Sequence, residues 1–224
     1  MRNSPDTVMF FCAGRGTRMR ALTESQPKPM INVAGRPLVD HAIDAMDGVN
    51  RRFANLHYQP EMLEKHLSYA GIETVFEEEL LETGGGLKNA LPVLDRDTVF
   101  TMNTDAVWKG PKPAQFLAQS WNPDRMDGLL LLVPKSHAIG HKGTGDFTSA
   151  PDGQIARGPG DVYSGLQILK TKYVKAITDS YFSLNVVWDD LLARGTLFGA
   201  VFPGQWCDVG HPDAILLAET LLKD

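Results

Sequence analysis

Residues 8–18 have the sequence VMFFCAGRGTR, in which six apolar residues lead directly into two glycines separated by an arginine. A continuous apolar run of this length is typical of a buried strand in a parallel sheet. Glycines directly after such a strand let backbone N–H groups approach a polyphosphate, because no Cβ stands in the way. Arg15, Arg18 and Lys28 supply the positive charge that a triphosphate and its pyrophosphate leaving group require. The stretch therefore predicts a phosphate-binding loop after the first strand.

Two better known glycine-rich loops do not match this stretch. A dinucleotide fingerprint needs a third glycine where this chain has Met19, and a Walker loop ends in Gly-Lys-Ser or Gly-Lys-Thr. Taken alone, the glycine pair is also compatible with an ordinary turn flanked by solvated arginines.

Apolar strand patterns alternate with amphipathic helical patterns along the rest of the chain. Strands are predicted at residues 52–57, 72–76, 97–102, 128–133, 162–169 and 197–202, and helices at residues 37–46, 61–69, 84–91 and 212–222. This alternation favours an α/β fold with a mostly parallel sheet covered by helices on both faces. Ligands of such sheets bind beyond the carboxyl ends of the strands, where Gly14, Gly84 and Asp105 are expected. The glycine-rich residues 140–160 are expected to form loops or a lid over that edge.

The composition limits the classes of protein to consider. With 224 residues, of which 43% are hydrophobic and 22% charged, the chain can form a core, and we expect one domain over residues 1–224. A net charge of −5 argues against a nucleic-acid partner. The first apolar run is too short for a signal peptide or a membrane span, and two distant cysteines do not indicate a disulfide framework. We therefore expect a cytoplasmic protein with no membrane partner.

The phosphate-loop region resembles the signature of the sugar-1-phosphate nucleotidyltransferases. The matching segments are AGRGTRM at 13–19, LT at 22–23 and PKP at 27–29, followed by ETGGG at 82–86, NTD at 103–105, GDF at 145–147, YSG at 163–165 and WCDVG at 206–210. The chain departs from the usual pattern at Phe11, Cys12 and Ala21, which are packing and turn positions. Within the family, the combination is most similar to the N-acetylmuramate-1-phosphate uridylyltransferases.

The resemblance implies a three-layer α/β/α, Rossmann-like nucleotidyltransferase fold of the GT-A type. It also implies transfer of a nucleotidyl group from a nucleoside triphosphate, UTP being expected, to a sugar-1-phosphate in cell-wall sugar recycling. Arg18, Lys28 and Asp105 take the catalytic positions. The nucleotide-binding positions are Ala13, Gly14, Gly16, Thr17, Arg18, Lys28, Thr83, Gly84 and Gly85.

Asp105 and Asp208 each follow a strand pattern and can reach the same edge of the sheet. Mg²⁺ prefers oxygen ligands and keeps several waters, so two carboxylates and phosphate oxygens suffice to hold it. The resemblance assigns this pair to Mg²⁺, whereas an isolated aspartate is more commonly a surface or capping residue.

Residues 83–86 (TGGG) lie at the start of a predicted helix, so their bare backbone is expected to contact the edge of the nucleobase; the alternative is a helix-entry turn. The resemblance assigns the sugar phosphate to Asn103, Gly145, Asp146, Ser164 and Gly165. From the residues alone, Asp146 is also able to cap a turn, and Ser164 is also suited to a buried hydroxyl. Thr104 stands where relatives have glycine and is expected to narrow this space, and residues 77–79 (EEE) are expected to be solvated.

Two other functions remain open at this point. Mannose-1-phosphate guanylyltransferase, or another hexose-1-phosphate nucleotidyltransferase, uses the same chemistry. A nucleotide-binding regulatory module that has lost its chemistry is an alternative of another class, but the charged set of Arg18, Lys28, Asp105 and Asp208 is complete. The oligomeric state is expected to be a monomer or a small homo-oligomer.

Overall fold

The computed structural model describes residues 4–223. Its strands are β1 (Thr7–Phe11), β2 (Asn32–Val33), β3 (Arg36–Pro37), β4 (Arg51–Leu56), β5 (Glu73–Phe76), β6 (Thr98–Asn103), β7 (Ala106–Lys109), β8 (Gly128–Val133), β9 (Ala138–Ile139), β10 (Phe147–Ser149), β11 (Ile155–Arg157), β12 (Val162–Lys170), β13 (Leu197–Val201) and β14 (Gln205–Asp208). Its α-helices are α1 (Leu38–Ala45), α2 (Pro60–Tyr69), α3 (Glu82–Leu94), α4 (Pro113–Ser120), α5 (Lys172–Lys175), α6 (Asn185–Ala193) and α7 (Ala214–Lys223). Short 3₁₀ turns lie at Thr17–Thr23, Lys28–Met30 and Lys135–His137.

Seven strands form the main sheet in the order β13-β8-β12-β6-β1-β4-β5. β12 runs antiparallel to both of its neighbours, β6 and β8, whereas the other four neighbouring pairs are parallel. A second sheet of three strands, in the order β7-β14-β9, lies at the carboxyl end of β6. The predicted mostly parallel sheet is therefore confirmed.

Two hydrophobic cores cover the two faces of the sheet. Alternation along β1 sends Val8 and Phe10 to the face covered by α1, α2 and α4, and Met9 to the face covered by α3, α5 and α6. The same alternation divides the four leucines of β8 between the cores, and all four are at most 1% exposed. Burying a leucine side chain contributes about 1.5–3 kcal/mol, so both helical layers are held by hydrophobic packing. The predicted three-layer α/β/α architecture is confirmed.

The helix over residues 82–94 corrects two sequence-based predictions. It continues through Pro92 and ends only at Leu94, because Leu91 and Leu94 remain buried on its inner face. It also begins before the glycines, at Glu82, so that Gly84, Gly85 and Gly86 lie buried inside its first turns. The glycines are therefore helical residues and not an open turn before the helix.

Close packing explains why this helix contains three glycines. A Cβ on Gly84 would overlap the ring of Phe182, one on Gly85 would overlap the carbonyl oxygen of Ser180, and one on Gly86 would lie 2.5 Å from Glu77 Oε1. The backbone of α3 thus lies directly against the segment before α6. A side chain at Gly84 or Gly85 would separate these elements, and one at Gly86 would displace the Glu77 and Asn55 side chains.

The predicted loop region 140–160 contains the β10–β11 hairpin, and α4, α6, β7 and β14 are elements that the sequence patterns did not reveal. The other predicted strands agree with the structure to within two residues at their ends. Within residues 4–223, no helix is both long enough and apolar enough to cross a membrane.

We predict that Gly85→Ala lowers the free energy of unfolding by about 2 kcal/mol or more, because the added methyl group overlaps the Ser180 carbonyl. Urea unfolding followed by circular dichroism measures the change. Asn89→Ala, at an exposed position on the same helix, is the matched control and is expected to change stability by less than about 0.5 kcal/mol. Equal stabilities of the two variants would contradict the packing role.

Candidate active site

A cleft of about 320 Å³ opens at the carboxyl ends of β1, β4 and β6. It brings together residues that are far apart in sequence, from the loop after β1, the end of β6 and the start of α3. The predicted site residues on its wall are Ala13, Gly14, Gly16, Thr17, Arg18, Lys28, Thr83, Asn103 and Asp105. The structure therefore places the phosphate-loop signature and the NTD segment on one cavity.

The two glycines of the phosphate loop have different local roles. A Cβ built on Gly14 would meet nothing within 4 Å, so its bare backbone borders open space. Gly16 has a φ of +63°, and an added Cβ would lie 2.8 Å from the Cβ of Lys28. Gly16 therefore permits both a left-handed turn and the close passage of Lys28. Thr23 Oγ1 donates to the carbonyl oxygens of Gly16 at 3.2 Å and Arg20 at 3.1 Å. These bonds link Gly16 to the far end of the 3₁₀ turn that follows it.

An ion pair joins the phosphate loop region to the end of β6. Lys28 Nζ donates to Asp105 Oδ2 at 2.9 Å, and the side chains are 12% and 30% exposed. The lysine begins the short turn Lys28–Met30, which follows Pro27. Partial burial reduces solvent screening, so this pair fixes the lysine amino group in the cleft more firmly than a surface pair would.

Asp105 and Asp208 lie side by side because β7 and β14 are paired antiparallel. Asp208 is opposite Ala106, and the backbone N–H of Val209 donates to the Asp105 carbonyl oxygen at 2.8 Å. Burial and the negative charge of Asp105 raise the pKa of Asp208 above its usual value, while Lys28 is among the groups that oppose this shift. The two carboxylates therefore interact electrostatically.

This pair of carboxylates fits a hard divalent cation. Mg²⁺ is commonly held by one or two carboxylates, with waters and substrate phosphates as its other ligands. A cation between Asp105 and Asp208 would relieve the repulsion that raises the pKa of Asp208. Among residues 4–223, no group of three or more histidine, cysteine, aspartate or glutamate side chains is placed to hold a metal.

A buried polar network forms part of the cleft wall, and the sequence patterns did not predict it. Asn55 Oδ1 accepts from the Cys12 backbone N–H at 2.7 Å, and Asn55 Nδ2 donates to Glu77 Oε1 at 2.7 Å. Glu77 Oε2 accepts from the Leu81 backbone N–H at 3.2 Å. Glu77 is only 1% exposed, so the expectation that it is solvated is wrong, and burial raises its pKa. The available signal was Asn55, a polar residue that interrupts the apolar half of β4, between Ala54 and Leu56.

The structure also changes the interpretation of residues 83–86. The backbone N–H groups of Gly84 and Gly85 both donate to the carbonyl oxygen of Phe182, at 2.9 and 3.0 Å, and neither residue lines the cleft. The expectation that these amides are free to donate to a nucleobase is therefore wrong. Thr83 does line the cleft, and its Oγ1 accepts from the Leu184 backbone N–H at 3.1 Å.

A second cavity of about 310 Å³ adjoins the first. The two cavities share Phe11, Glu82, Thr83 and Asn103. The second extends toward the β10–β11 hairpin and the start of α6, where Asp146, Arg157, Tyr163 and Asn185 contribute polar groups to its wall. The arrangement provides one compartment lined by the phosphate loop and a neighbouring compartment lined by polar side chains.

Only part of the predicted sugar-phosphate set borders these cavities. Asn103 and Asp146 do, whereas Gly145, Ser164 and Gly165 do not. Ser164 is 2% exposed, and its Oγ donates to the Leu131 carbonyl oxygen at 2.7 Å. The expectation that this hydroxyl contacts the sugar phosphate is therefore wrong, and the alternative of a buried hydroxyl is correct. Asp146 Oδ2 accepts from the Tyr163 backbone N–H at 2.8 Å, so it also holds the loop in place.

The two glycines of this set make room for other parts of the chain. Gly165 has a φ of +89°, and an added Cβ would lie 2.7 Å from the Cβ of Asn103. Gly145 has a φ of +99°, and an added Cβ would overlap the backbone of Gly160. Both glycines therefore allow a close approach of neighbouring segments, Gly165 to Asn103 and Gly145 to Gly160, and neither contacts the cavity.

Thr104 lines the cleft beside the phosphate loop but not the second cavity. It is 4% exposed, and its Oγ1 donates to the Phe11 carbonyl oxygen at 2.8 Å. The threonine hydroxyl thus joins β1 to the end of β6.

The phosphate loop at the carboxyl edge of a Rossmann-like sheet, with an adjoining lysine and carboxylate pair, defines a nucleotidyltransferase. Residues 8–141 match the family model described as the MobA-like NTP transferase domain. The chain belongs to this family of nucleotidyltransferase enzymes.

Relatives with assigned activities act on sugar phosphates. The N-acetylmuramate alpha-1-phosphate uridylyltransferase of Caulobacter vibrioides is 35% identical over the whole of both chains. That of Neisseria meningitidis is 30% identical over 91% of this chain and 92% of its own length. A mannose-1-phosphate guanylyltransferase of Mycobacterium tuberculosis is 30% identical over 92% of this chain, but over only 61% of its own length. The family is thus one of sugar-phosphate nucleotidyltransferases.

Solved structures share the fold. HddC from Yersinia pseudotuberculosis, complexed with GMP-PN, superposes with a TM-score of 0.77 over 96% of this chain and 99% of its own, at 22% identity. The inositol-1-phosphate CTP transferase from T. maritima gives a TM-score of 0.79 over 100% of this chain and 97% of its own, at 17% identity. These structures confirm the predicted Rossmann-like nucleotidyltransferase fold.

We predict that Asn55→Ala lowers the free energy of unfolding by about 2–4 kcal/mol, because the buried Cys12 amide and the Glu77 carboxylate both lose a partner. Chemical denaturation is the measurement. Asn50→Ala, at an exposed position just before β4, is the matched control and is expected to be neutral. A neutral Asn55→Ala would show that the network does not support the cleft.

Proposed function

We propose that the protein transfers a uridylyl group from UTP to N-acetylmuramate-1-phosphate, which yields the nucleotide sugar and pyrophosphate. The observation that carries this proposal is the pair of adjoining cavities that meet at Thr83 and Asn103. The compartment beside Gly14, Arg18 and Lys28 suits a triphosphate, and the polar compartment suits a sugar. Their junction is where a sugar phosphate and an α-phosphate would meet.

The residues on the cleft wall suit a direct displacement. An oxygen of the sugar phosphate attacks the α-phosphorus, and the bond to the pyrophosphate breaks on the opposite side. The attacking phosphate is already an anion, so the reaction needs no general base. The backbone at Gly14 and the guanidinium of Arg18 bind the leaving pyrophosphate, and Lys28 stabilises negative charge that develops on the transferred phosphoryl group.

We propose Asp105 and Asp208 as the residues that hold Mg²⁺. When bound, the ion supplies charge neutralisation at the phosphate oxygens. The ion pair with Asp105 also fixes Lys28 Nζ before substrate arrives, so the lysine needs little rearrangement to reach the α-phosphate. Asn103, at the junction of the two cavities, is in place to bind the sugar phosphate.

The choice of UTP and N-acetylmuramate-1-phosphate is supported by the two uridylyltransferases that align over nearly their full length. The guanylyltransferase of mannose-1-phosphate remains the second candidate, since one such relative is also 30% identical. The inactive-module alternative is disfavoured because Arg18, Lys28, Asp105 and Asp208 are all present and the first three line one cleft.

The remaining expectations belong to the same proposal. Residues 1–224 would form one catalytic domain, supported by the alignment over the whole of the Caulobacter relative. The reaction would take place in the cytoplasm as part of cell-wall sugar recycling, with the enzyme a monomer or a small homo-oligomer. Nucleic acid and membranes are not among the proposed partners.

Pyrophosphate release, measured with each of the four nucleoside triphosphates and a panel of sugar-1-phosphates, tests the proposal. We expect the highest kcat/KM for UTP with N-acetylmuramate-1-phosphate, and turnover that requires Mg²⁺. Preference for GTP with mannose-1-phosphate would support the second candidate instead. Nucleotide binding without turnover of any pair would support the inactive module.

Asp105→Asn serves as the matching site variant in the same assay. It removes one charge from the carboxylate pair and the ion partner of Lys28, so we expect kcat/KM to fall by at least about 100-fold. Asp44→Asn removes an exposed carboxylate that pairs with Arg36 at 2.8 Å and is expected to leave activity unchanged. Equal activities of the two variants would remove Asp105 from the mechanism.

A further inference from the structure

Among residues 4–223, Arg157 is the one cationic side chain on the wall of the second cavity. It ends β11, so the hairpin carries it to the cavity from outside the main sheet. The other charged side chains on that wall are carboxylates, those of Glu82 and Asp146. Arg157 is paired with Asp189 outside the cavity wall, at 2.8 Å, but the transfer chemistry described above gives no role to a cation inside this compartment.

Two aromatic rings and two polar side chains hold the guanidinium in place. It lies 5.1 Å from the centroid of the Phe147 ring and 5.6 Å from that of Trp188. Its Nη2 donates to Asn185 Oδ1 at 2.8 Å and to Asp189 Oδ1 at 2.8 Å, and its Nε donates to the same Asp189 oxygen at 3.2 Å. The planar group is therefore oriented before any ligand binds.

One end of the guanidinium remains available. A guanidinium has five N–H donors, and the contacts with Asn185 and Asp189 use only those on Nε and Nη2. Among residues 4–223, no hydrogen bond from Nη1 of Arg157 is present in the structure. The Arg157 and Asp189 side chains are 41% and 64% exposed, and Asp189, unlike Arg157, does not line the cavity.

We infer that Arg157 binds a carboxylate on the acceptor sugar and so selects an acidic sugar-1-phosphate. This inference rests on the proposed function, because it assigns the second cavity to the acceptor. N-acetylmuramate differs from N-acetylglucosamine by a lactyl ether that carries a carboxylate, which is an acceptor for the Nη1 donors. The Asp146 carboxylate, on the same wall, repels that group and accepts sugar hydroxyls instead, which orients the ring.

Paired kinetics of Arg157→Gln test this assignment with N-acetylmuramate-1-phosphate and N-acetylglucosamine-1-phosphate as acceptors. For the acidic acceptor, we expect kcat/KM to fall by about 10- to 100-fold, mainly through KM, as for loss of a charge-assisted hydrogen bond. For the neutral acceptor, kcat/KM is expected to stay within about twofold of the wild type. Arg157→Lys keeps the charge and is expected to recover part of the loss.

Titration calorimetry gives the same comparison if the wild type does not turn over the neutral acceptor. The Kd of the acidic acceptor must then rise by about 10- to 100-fold in Arg157→Gln while that of the neutral acceptor stays constant. Arg125→Gln is the matched control, because Arg125 also lies over an aromatic ring, 5.2 Å from the Phe198 centroid, but lines neither cavity. It is expected to affect neither acceptor.

Equal losses with both acceptors would mean that Arg157 only maintains the fold, and no loss with either would mean that it does not contact the acceptor. Either result overturns the inference while wild-type turnover still supports the proposed function. Wild-type activity with neutral acceptors alone would also overturn it. Absence of wild-type turnover with every pair would instead be the failure of the proposed function.

Discussion

The parallel pairing of β1 with β6 is the constraint on which the site depends. It sets Phe11 opposite Asn103, so the phosphate loop and the NTD segment leave the sheet side by side. Thr104 strengthens the junction, since its Oγ1 donates to the Phe11 carbonyl oxygen. A one-residue slip in this register would turn every side chain of one strand to the opposite face and separate Lys28 from Asp105.

The cleft is rigid because buried polar groups tie three segments to one another. Asn55, near the end of β4, bonds both the Cys12 amide that precedes the phosphate loop and the Glu77 carboxylate that precedes α3. Buried polar groups are expensive to leave unpaired, so each of these bonds restricts the segments that it joins. The start of α3 is fixed as well, because Gly84 and Gly85 pack against residues 180–182 and donate both of their amides to the Phe182 carbonyl oxygen.

The fold was largely predictable from the sequence because its dominant signals are local. The apolar run after Thr7 and the leucines of β8 identify buried strands without reference to the rest of the chain. The phosphate loop was equally visible, since glycine and arginine types at fixed spacing occur within a short stretch. The structure accordingly confirms the sheet and its layers and gathers the phosphate-loop residues on one cleft.

The errors have a common physical cause, which is that each depends on a partner distant in sequence. A glycine in the sequence shows that a side chain is absent, but it does not show which group lies in the place of that side chain. At Gly85 this group is the backbone carbonyl of Ser180. The hydroxyl of Ser164 and the carboxylate of Glu77 look available in sequence but are buried against Leu131 and Asn55. Arg157 could not be predicted as a cavity residue, because it reaches the cavity only where the β10–β11 hairpin packs beside α6.

The central claim is that one cleft brings a sugar phosphate against the α-phosphorus of the triphosphate for a single direct displacement. Turnover of UTP carrying a chiral α-thiophosphate tests it most directly, with the configuration of the nucleotide-sugar product read by ³¹P NMR. A single in-line displacement predicts inversion at the α-phosphorus. Retention of configuration would contradict the account, because it requires two displacements and a covalent nucleotidyl intermediate on the protein.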